Sequence, residues 1–86
     1  MSNVLSKNVE TYFQESYKYY ITFEDNLISD GEYDYICFDL LENWKELNKT
    51  EKRLLVKDAL AAGTGFDISM ETYKEVFQII QNKGIK

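Results

Sequence analysis

Apolar residues recur along this chain with the period of an α-helix, and they do so in four segments. In the first segment they fall within about 120° of the helical circumference, which is typical of a helix with one side in a core. The positions on this side are Leu5, Val9, Tyr12, Phe13, Ser16, Tyr20 and Phe23. Charged residues such as Lys7 and Glu10 lie opposite them. The pattern therefore predicts a helix over residues 3–22.

The second segment begins with a capping box, in which a serine and a glutamate three residues later satisfy each other's free backbone N–H groups. Here the two residues are Ser29 and Glu32. An unbroken apolar stripe follows, made of Tyr33, Ile36, Cys37, Leu40, Leu41, Trp44 and Leu47. Together, the capping box and the stripe predict a helix over residues 30–47.

Two further helices complete the predicted fold. A second capping box precedes residues 49–62, and Gly63 is a typical residue to end the helix that they form. The last helix is predicted over residues 69–83. Because the chain contains no proline, we expect an all-α fold, a compact four-helix domain that spans residues 1–86. Its predicted core contains Val9, Phe13, Tyr20, Ile36, Leu40, Trp44, Leu55, Leu60, Val76, Phe77 and Ile80.

An α+β fold with a hairpin is the main alternative. In residues 17–24 every second residue is aromatic or aliphatic, namely Tyr17, Tyr19, Ile21 and Phe23. This period of two, in residues that favour strands, is typical of a β-strand. Residues 33–38 would form the partner strand, across a turn that contains Asp30 and Gly31. The apolar stripe of the second helix argues against this alternative, because its helical period continues unbroken from residue 33 to residue 47.

Charge is unevenly distributed along the chain. The net charge is −5, from 15 acidic and 10 basic residues. Residues 1–42 contain nine acids and two lysines, a net charge of −7, whereas residues 43–86 contain six acids and eight bases, a net charge of +2. An acidic protein is repelled by nucleic acids and by anionic membranes. The composition therefore favours a protein partner with a basic surface and does not favour direct nucleic-acid binding.

Composition also excludes several kinds of site. The chain has no histidine, so a histidine-based metal site, general base or catalytic triad cannot form. Its single cysteine, Cys37, excludes an internal disulfide and lies on the apolar stripe, where we expect a buried thiol with a raised pKa. We predict that the protein is not an enzyme and uses no metal or cofactor. No apolar run approaches the ~20 residues of a membrane span, and the lone thiol favours the cytoplasm.

One side of the predicted second helix carries acids around a tyrosine. Opposite the apolar stripe, at spacings of three and four residues, lie Glu32, Tyr35, Asp39, Glu42 and Glu46. We call this row the acidic ridge. No basic residue occurs in the helix before Lys45, so repulsion between the acids is not relieved. We expect the acidic ridge to contact a partner, with support from Glu24, Asp25 and Asp34 nearby.

These observations favour a small acidic protein-binding module that occupies a basic surface of another protein. A row of carboxylates beside a phenol imitates a phosphate backbone, so a nucleic-acid-binding protein with an arginine-rich groove is the expected partner. In size and acidity the chain is similar to small inhibitor and immunity proteins of mobile elements, although it shares no motif with them. We therefore expect an inhibitor or regulator of phage or mobile-element type that acts by DNA mimicry.

Two other functions fit the sequence. Residues 49–62 and 69–83 would form a small helix-turn-helix transcriptional regulator, with Lys49, Arg53 and Lys57 on one side of the first of these helices. Against this, the second helix opens with a methionine and a glutamate rather than with the basic or amide residues that read a major groove. The other alternative is a structural subunit of an assembly. The sequence does not indicate an oligomeric state.

Overall fold

The computed structural model describes residues 5–25, 28–65 and 68–83. In these ranges the chain forms five α-helices. They are α1 (Lys7–Tyr17), α2 (Asp30–Glu42), α3 (Lys49–Leu54), α4 (Lys57–Ala62) and α5 (Met70–Lys83). A π-helical turn, Lys18–Thr22, continues α1, and a 3₁₀ turn, Trp44–Glu46, follows α2.

The all-α class that the sequence predicts is confirmed, and the described ranges contain no strand. The hairpin alternative is wrong, because residues 33–38 lie within α2 and residues 17–24 run from the end of α1 through the π-helical turn. The capping box explains why residues 33–38 belong to a helix rather than to a strand. Ser29 Oγ accepts a hydrogen bond from the Glu32 N–H (3.1 Å), and Glu32 Oε1 accepts one from the Ser29 N–H (3.0 Å).

The helix predicted over residues 49–62 is divided in two. Leu55 and Val56 have extended backbone conformations, with ψ angles of 153° and 118°, and they separate α3 from α4. In one straight helix, Leu54 and Leu55 would point in directions about 100° apart. The extended link instead allows both leucines to be buried, while Val56 is exposed. The described ranges therefore contain five α-helices rather than the four predicted.

The first two predicted helices also end differently. After Glu42, the Asn43 side-chain amide donates a hydrogen bond to the backbone carbonyl of Asp39 (3.0 Å), and only the 3₁₀ turn follows. The π-helical turn ends at Phe23, which has a left-handed conformation (φ 57°) and is 83% exposed. Phe23 is predicted on the apolar side of an α-helix, but the wider π-helical turn rotates it away from the core. The first helix begins at Lys7 rather than at residue 3, because Ser6 has an extended backbone and is its N-cap, where its side chain accepts a hydrogen bond from the Val9 N–H. Residues 3 and 4 lie outside the described residues.

Helix α1 is central, since it packs against both α2 and α5, and α2 also packs against α4. The predicted core residues that are buried are Val9, Phe13, Leu40, Leu55, Leu60 and Val76. Those that are half-buried and pack against them are Ile36, Trp44, Phe77 and Ile80. Tyr20 is half-buried as well, and its hydroxyl group forms a hydrogen bond with the hydroxyl group of Thr64. The buried residues that the core prediction omitted include Leu5, Tyr12, Leu54 and Tyr73.

Glu51 joins the chain segments that begin α1 and α3. Its side chain is buried, and Oε2 accepts a hydrogen bond from the backbone N–H of Ser6 (2.6 Å), the N-cap residue of α1. Its Oε1 accepts a second hydrogen bond from the backbone N–H of Asn48 (2.9 Å), the N-cap residue of α3. One carboxylate thus satisfies backbone donors at the starts of two helices and holds them together.

Tyrosine hydroxyl groups fix the segment after α4 against α1. Tyr12 donates a hydrogen bond to the backbone carbonyl of Thr64 (2.9 Å), and the Tyr20 hydroxyl oxygen lies 2.7 Å from that of Thr64. Next to it, a Cβ atom on Gly65 would lie 2.8 Å from the Ser16 Cβ atom, so this position requires glycine. The segment can therefore lie directly on α1.

Tyr73 of α5 differs from Tyr12 and Tyr20 in the surroundings of its hydroxyl group. Its ring is in edge-to-face contact with the rings of Phe13 (6.4 Å between centroids) and Tyr17 (5.1 Å). Its hydroxyl group, however, is buried without a hydrogen-bond partner among the described residues. A buried hydroxyl group without a partner costs about 1–3 kcal/mol.

Replacing Tyr73 and replacing Tyr12 should have opposite consequences. We expect Tyr73→Phe to leave the free energy of unfolding unchanged or to raise it by up to about 1 kcal/mol, because it removes only an unsatisfied hydroxyl group. The matched variant Tyr12→Phe should lower it by about 0.5–1.5 kcal/mol, because it removes the hydrogen bond to Thr64. Urea unfolding followed by circular dichroism measures both. Equal losses of stability would contradict this difference between the two hydroxyl groups.

Burial also changes the acidity of several groups, which include Cys37 and Tyr73. It raises the pKa of the Cys37 thiol from 9.0 to about 11 and the pKa of the Tyr73 hydroxyl from 10.0 to about 12. The burial and the raised thiol pKa expected for Cys37 are therefore confirmed. In both groups the native state holds the proton more tightly than the unfolded state does.

Alkaline pH should consequently destabilise the fold. The stabilisation from these protons is complete below the ordinary pKa values of 9.0 and 10.0, and it is lost as the pH rises through about 11 and 12. We expect the free energy of unfolding, measured by urea titration, to start falling near pH 9, and near pH 10 in Cys37→Ala. Constant stability up to pH 12 would be the opposite result.

Candidate functional site

Four of the five residues of the acidic ridge lie on α2, and its acids have different surroundings. Glu32 belongs to the capping box described above. Asp39 is held from two directions, since Oδ2 accepts a hydrogen bond from the Asn8 side-chain amide of α1 (2.8 Å) and Oδ1 accepts one from the Asn43 side-chain amide (3.0 Å). These donors are uncharged. These hydrogen bonds therefore fix the positions of the Glu32 and Asp39 carboxylates without pairing either carboxylate with a basic side chain.

Three side chains beside these acids project from α2 into solvent. Tyr35 is 66% exposed, and Phe38, three residues later, is 58% exposed. Glu42 follows four residues after Phe38 and is also exposed. Because residues three and four positions apart share one side of a helix, Tyr35, Phe38 and Glu42 form one continuous surface, which we call the α2 face. In the sequence Phe38 lies on the flank of the acidic ridge, but it is not among the predicted contact residues, although its spacing from Tyr35 was a usable signal.

The remaining predicted residues lie away from this surface. Glu46 is exposed, but it belongs to the 3₁₀ turn and does not continue the row along α2. Glu24 and Asp25 are exposed in the segment after the π-helical turn. Asp34 lies beside the end of α4, where a Cβ atom on Gly63 would be 3.0 Å from the Asp34 Oδ1 atom. The structure therefore does not unite the eight predicted residues in one site.

A cleft of about 280 Å³ opens between the π-helical turn and the first turn of α2. Its described lining residues are Glu15, Tyr19, Tyr20, Ile28, Ser29, Asp30, Tyr33, Asp34 and Gly63. Three of these are acidic, three are tyrosines and none is basic, so we call it the acid–tyrosine cleft. Asp34 is predicted as a supporting residue, but the cleft itself is not predicted. The adjacent tyrosines Tyr19 and Tyr20 are the feature of the sequence that could have indicated it.

Two of the three basic residues of the helix-turn-helix alternative make side-chain contacts within the domain. Arg53 forms a two-pronged ion pair with Glu75 of α5, in which Arg53 Nη1 donates a hydrogen bond to Oε1 at 3.1 Å. This hydrogen bonding raises the pKa of Arg53 and lowers that of Glu75. Lys57 Nζ lies 5.1 Å from the centroid of the Trp44 ring, a cation–π contact. With the helix over residues 49–62 also divided, this geometry does not favour major-groove recognition.

Two other kinds of site can be assessed from side-chain placement and helix length. In the described part of the chain, no group of three or more acidic or cysteine side chains is arranged so that it could hold a metal ion. Within residues 5–25, 28–65 and 68–83, no helix combines the length and the apolar character needed to cross a membrane.

Comparison of the chain with protein-family models, with curated proteins and with solved structures finds no match. Its function is therefore inferred from its own geometry. Two features are available for that inference, the α2 face and the acid–tyrosine cleft.

Proposed function

We propose that this protein is a small acidic binding module that occupies a basic surface of another protein. In this proposal the partner is a nucleic-acid-binding protein, and the module is an inhibitor or regulator of phage or mobile-element type. Its carboxylates take positions that phosphate groups would otherwise occupy, so it competes with nucleic acid for the partner. The α2 face is the proposed contact surface.

The proposal rests mainly on the exposure of two large rings beside a carboxylate. Tyr35 and Phe38 leave more than half of their surface in water. Contact with a partner would remove this apolar area from water, which is favourable, and aromatic residues are enriched at the centres of interfaces. Glu42 lies beside these rings and adds a preference for a basic partner.

Two hydrogen-bonded acids next to the α2 face, together with Glu42 in it, support the electrostatic part of the proposal. Glu32, Asp39 and Glu42 are spread over about 15 Å of the α2 axis. None of the three forms an ion pair with a lysine or arginine of the described residues. Because two amides already hold Asp39, little of its side-chain entropy is lost when a partner binds. The row is thus prepared to accept hydrogen bonds from an arginine-rich groove.

The distribution of charge along the chain is consistent with attraction over longer distances. Residues 1–42, which include α2, have a net charge of −7, from nine acids and two lysines. A field of this sign accelerates association with a basic surface, and added salt screens it. Binding by the α2 face should therefore weaken as ionic strength rises.

A variant of the α2 face provides the test. We expect Phe38→Ser combined with Glu42→Lys to weaken partner binding by about 2 kcal/mol or more, roughly 30-fold in Kd, because it removes a central ring and reverses a neighbouring charge. Tagged protein would be purified from its native host, and the co-eluting proteins identified by mass spectrometry. The recovered partner should release its nucleic acid when the wild-type protein is added, as measured by gel shift.

Val56→Ser combined with Glu71→Lys is the matched control, because it also removes one exposed apolar side chain and changes the net charge equally, outside the α2 face. It should bind the partner as the wild-type protein does. The proposal fails if the partner is retained equally by both variants, or if it continues to bind nucleic acid in the complex. A third outcome is that no other partner is recovered, the wild-type protein self-associates and the α2-face variant does not. This outcome would favour the structural-subunit alternative.

A further inference from the structure

We infer that the acid–tyrosine cleft binds one organic cation, the ammonium or guanidinium group of a lysine or arginine side chain. The cleft is distinct from the α2 face, because its walls come from the π-helical turn, the start of α2 and the end of α4. The inference rests on the proposed function in one respect, since it takes this side chain to be the partner's.

Two tyrosine rings form a corner in the wall of the cleft. The ring centroids of Tyr19 and Tyr20 are 4.8 Å apart, and the ring planes are 83° from parallel. Tyr20 is anchored by its hydroxyl group to Thr64 (2.7 Å), whereas Tyr19 is 59% exposed. The face of an aromatic ring attracts a cation, and several rings around one point form the aromatic cages that bind ammonium groups. The anchored ring of Tyr20 and the exposed ring of Tyr19 at a right angle to it are suited to contact with a cation.

Uncompensated negative charge lies in the same cleft. Glu15 is 3% exposed and lies 3.7 Å from Lys18 Nζ, which offsets its charge. Asp30 and Asp34 are exposed, and neither forms an ion pair within the described residues. The start of α2 contributes roughly half a positive charge, which is less than these two aspartates carry. The cleft therefore favours a cation over an anion.

The placement of the acids in the cleft narrows the class of ligand. Pockets for drug-sized ligands and cofactors have volumes of ~300–1,000 Å³. At about 280 Å³ the acid–tyrosine cleft lies at the lower end of this range and has room for the end of a lysine or arginine side chain. Its carboxylates do not form a group that could hold a metal ion, as judged from the described residues. Rings and separated carboxylates together match an organic cation, which uses both cation–π attraction and hydrogen bonds.

Titration of the full chain with amino-acid analogues, followed by NMR of the backbone amides, tests the inference. The probes are N-acetyl-lysine methylamide and N-acetyl-arginine methylamide, and N-acetyl-norleucine methylamide is the uncharged control. We expect at least one cationic probe to cause saturable shifts at Tyr19, Asp34 and Gly63, and the affinity to fall with added salt. The uncharged control should cause no saturable shift at these residues.

Variants separate the contribution of the carboxylate from that of the aromatic ring to binding of the cation. Asp34→Asn and Tyr19→Ala should each weaken binding of the cationic probe at least fivefold. Asp58→Asn is the matched control, because it removes an exposed carboxylate of α4 outside the described lining of the cleft, and it should bind as the wild-type protein does. The dispersion of the amide signals shows whether each variant is folded. Tyr19 is exposed, so Tyr19→Ala remains informative even if Asp34→Asn does not fold.

The inference is overturned if neither cationic probe causes saturable shifts at the cleft, if the uncharged control binds equally, or if Tyr19→Ala binds the probe unchanged. The titration uses no partner protein. Its failure would therefore leave the proposed role of the α2 face standing. Conversely, if the partner experiment contradicts the proposed role of the α2 face, the titration still tests cation binding by the cleft on its own.

Discussion

Burial of tyrosine rings is the constraint on which the rest of this structure depends. A phenol can enter a core at low cost only if its hydroxyl group finds a hydrogen-bond partner. Tyr12 and Tyr20 find theirs at Thr64, and the hydroxyl groups of Ser16 and Tyr33 bond to each other. These bonds hold the segment after α4 and the start of α2 against α1. Packing of α2 and α5 on α1 is therefore combined with specific polar contacts that define one arrangement.

The same constraint produces both candidate sites. Tyr20 can bond to Thr64 from the π-helical turn, and there the neighbouring Tyr19 stays exposed beside the start of α2. Helix α2, fixed at its start by the capping box and by Tyr33, buries one side and leaves Tyr35 and Phe38 in solvent. Side chains on such rigid elements are positioned for binding before a partner arrives, which lowers the entropy lost on association.

Local signals explain which parts could be predicted from the sequence. Helix α2 was predicted best at its start, because the hydrogen bonds of its capping box join residues only three positions apart. The division between α3 and α4 could not be predicted in this way, since it depends on how Leu54 and Leu55 fit against other helices. For the site, the helical period predicted the exposure of Tyr35 and Glu42. It could not show that Asp39 bonds to Asn8 of α1.

By itself, the sequence determined the all-α class, the capping boxes that begin α2 and α3, the burial of Cys37 and the surplus of acid in the first half of the chain. These properties follow from composition, from the helical period and from hydrogen bonds between near neighbours. Only the tertiary structure decided the π-helical turn, the break at Leu55 and the acid–tyrosine cleft. Each of these depends on residues far apart in the chain, whose packing and hydrogen bonds outweigh the small local preference for a continuous helix.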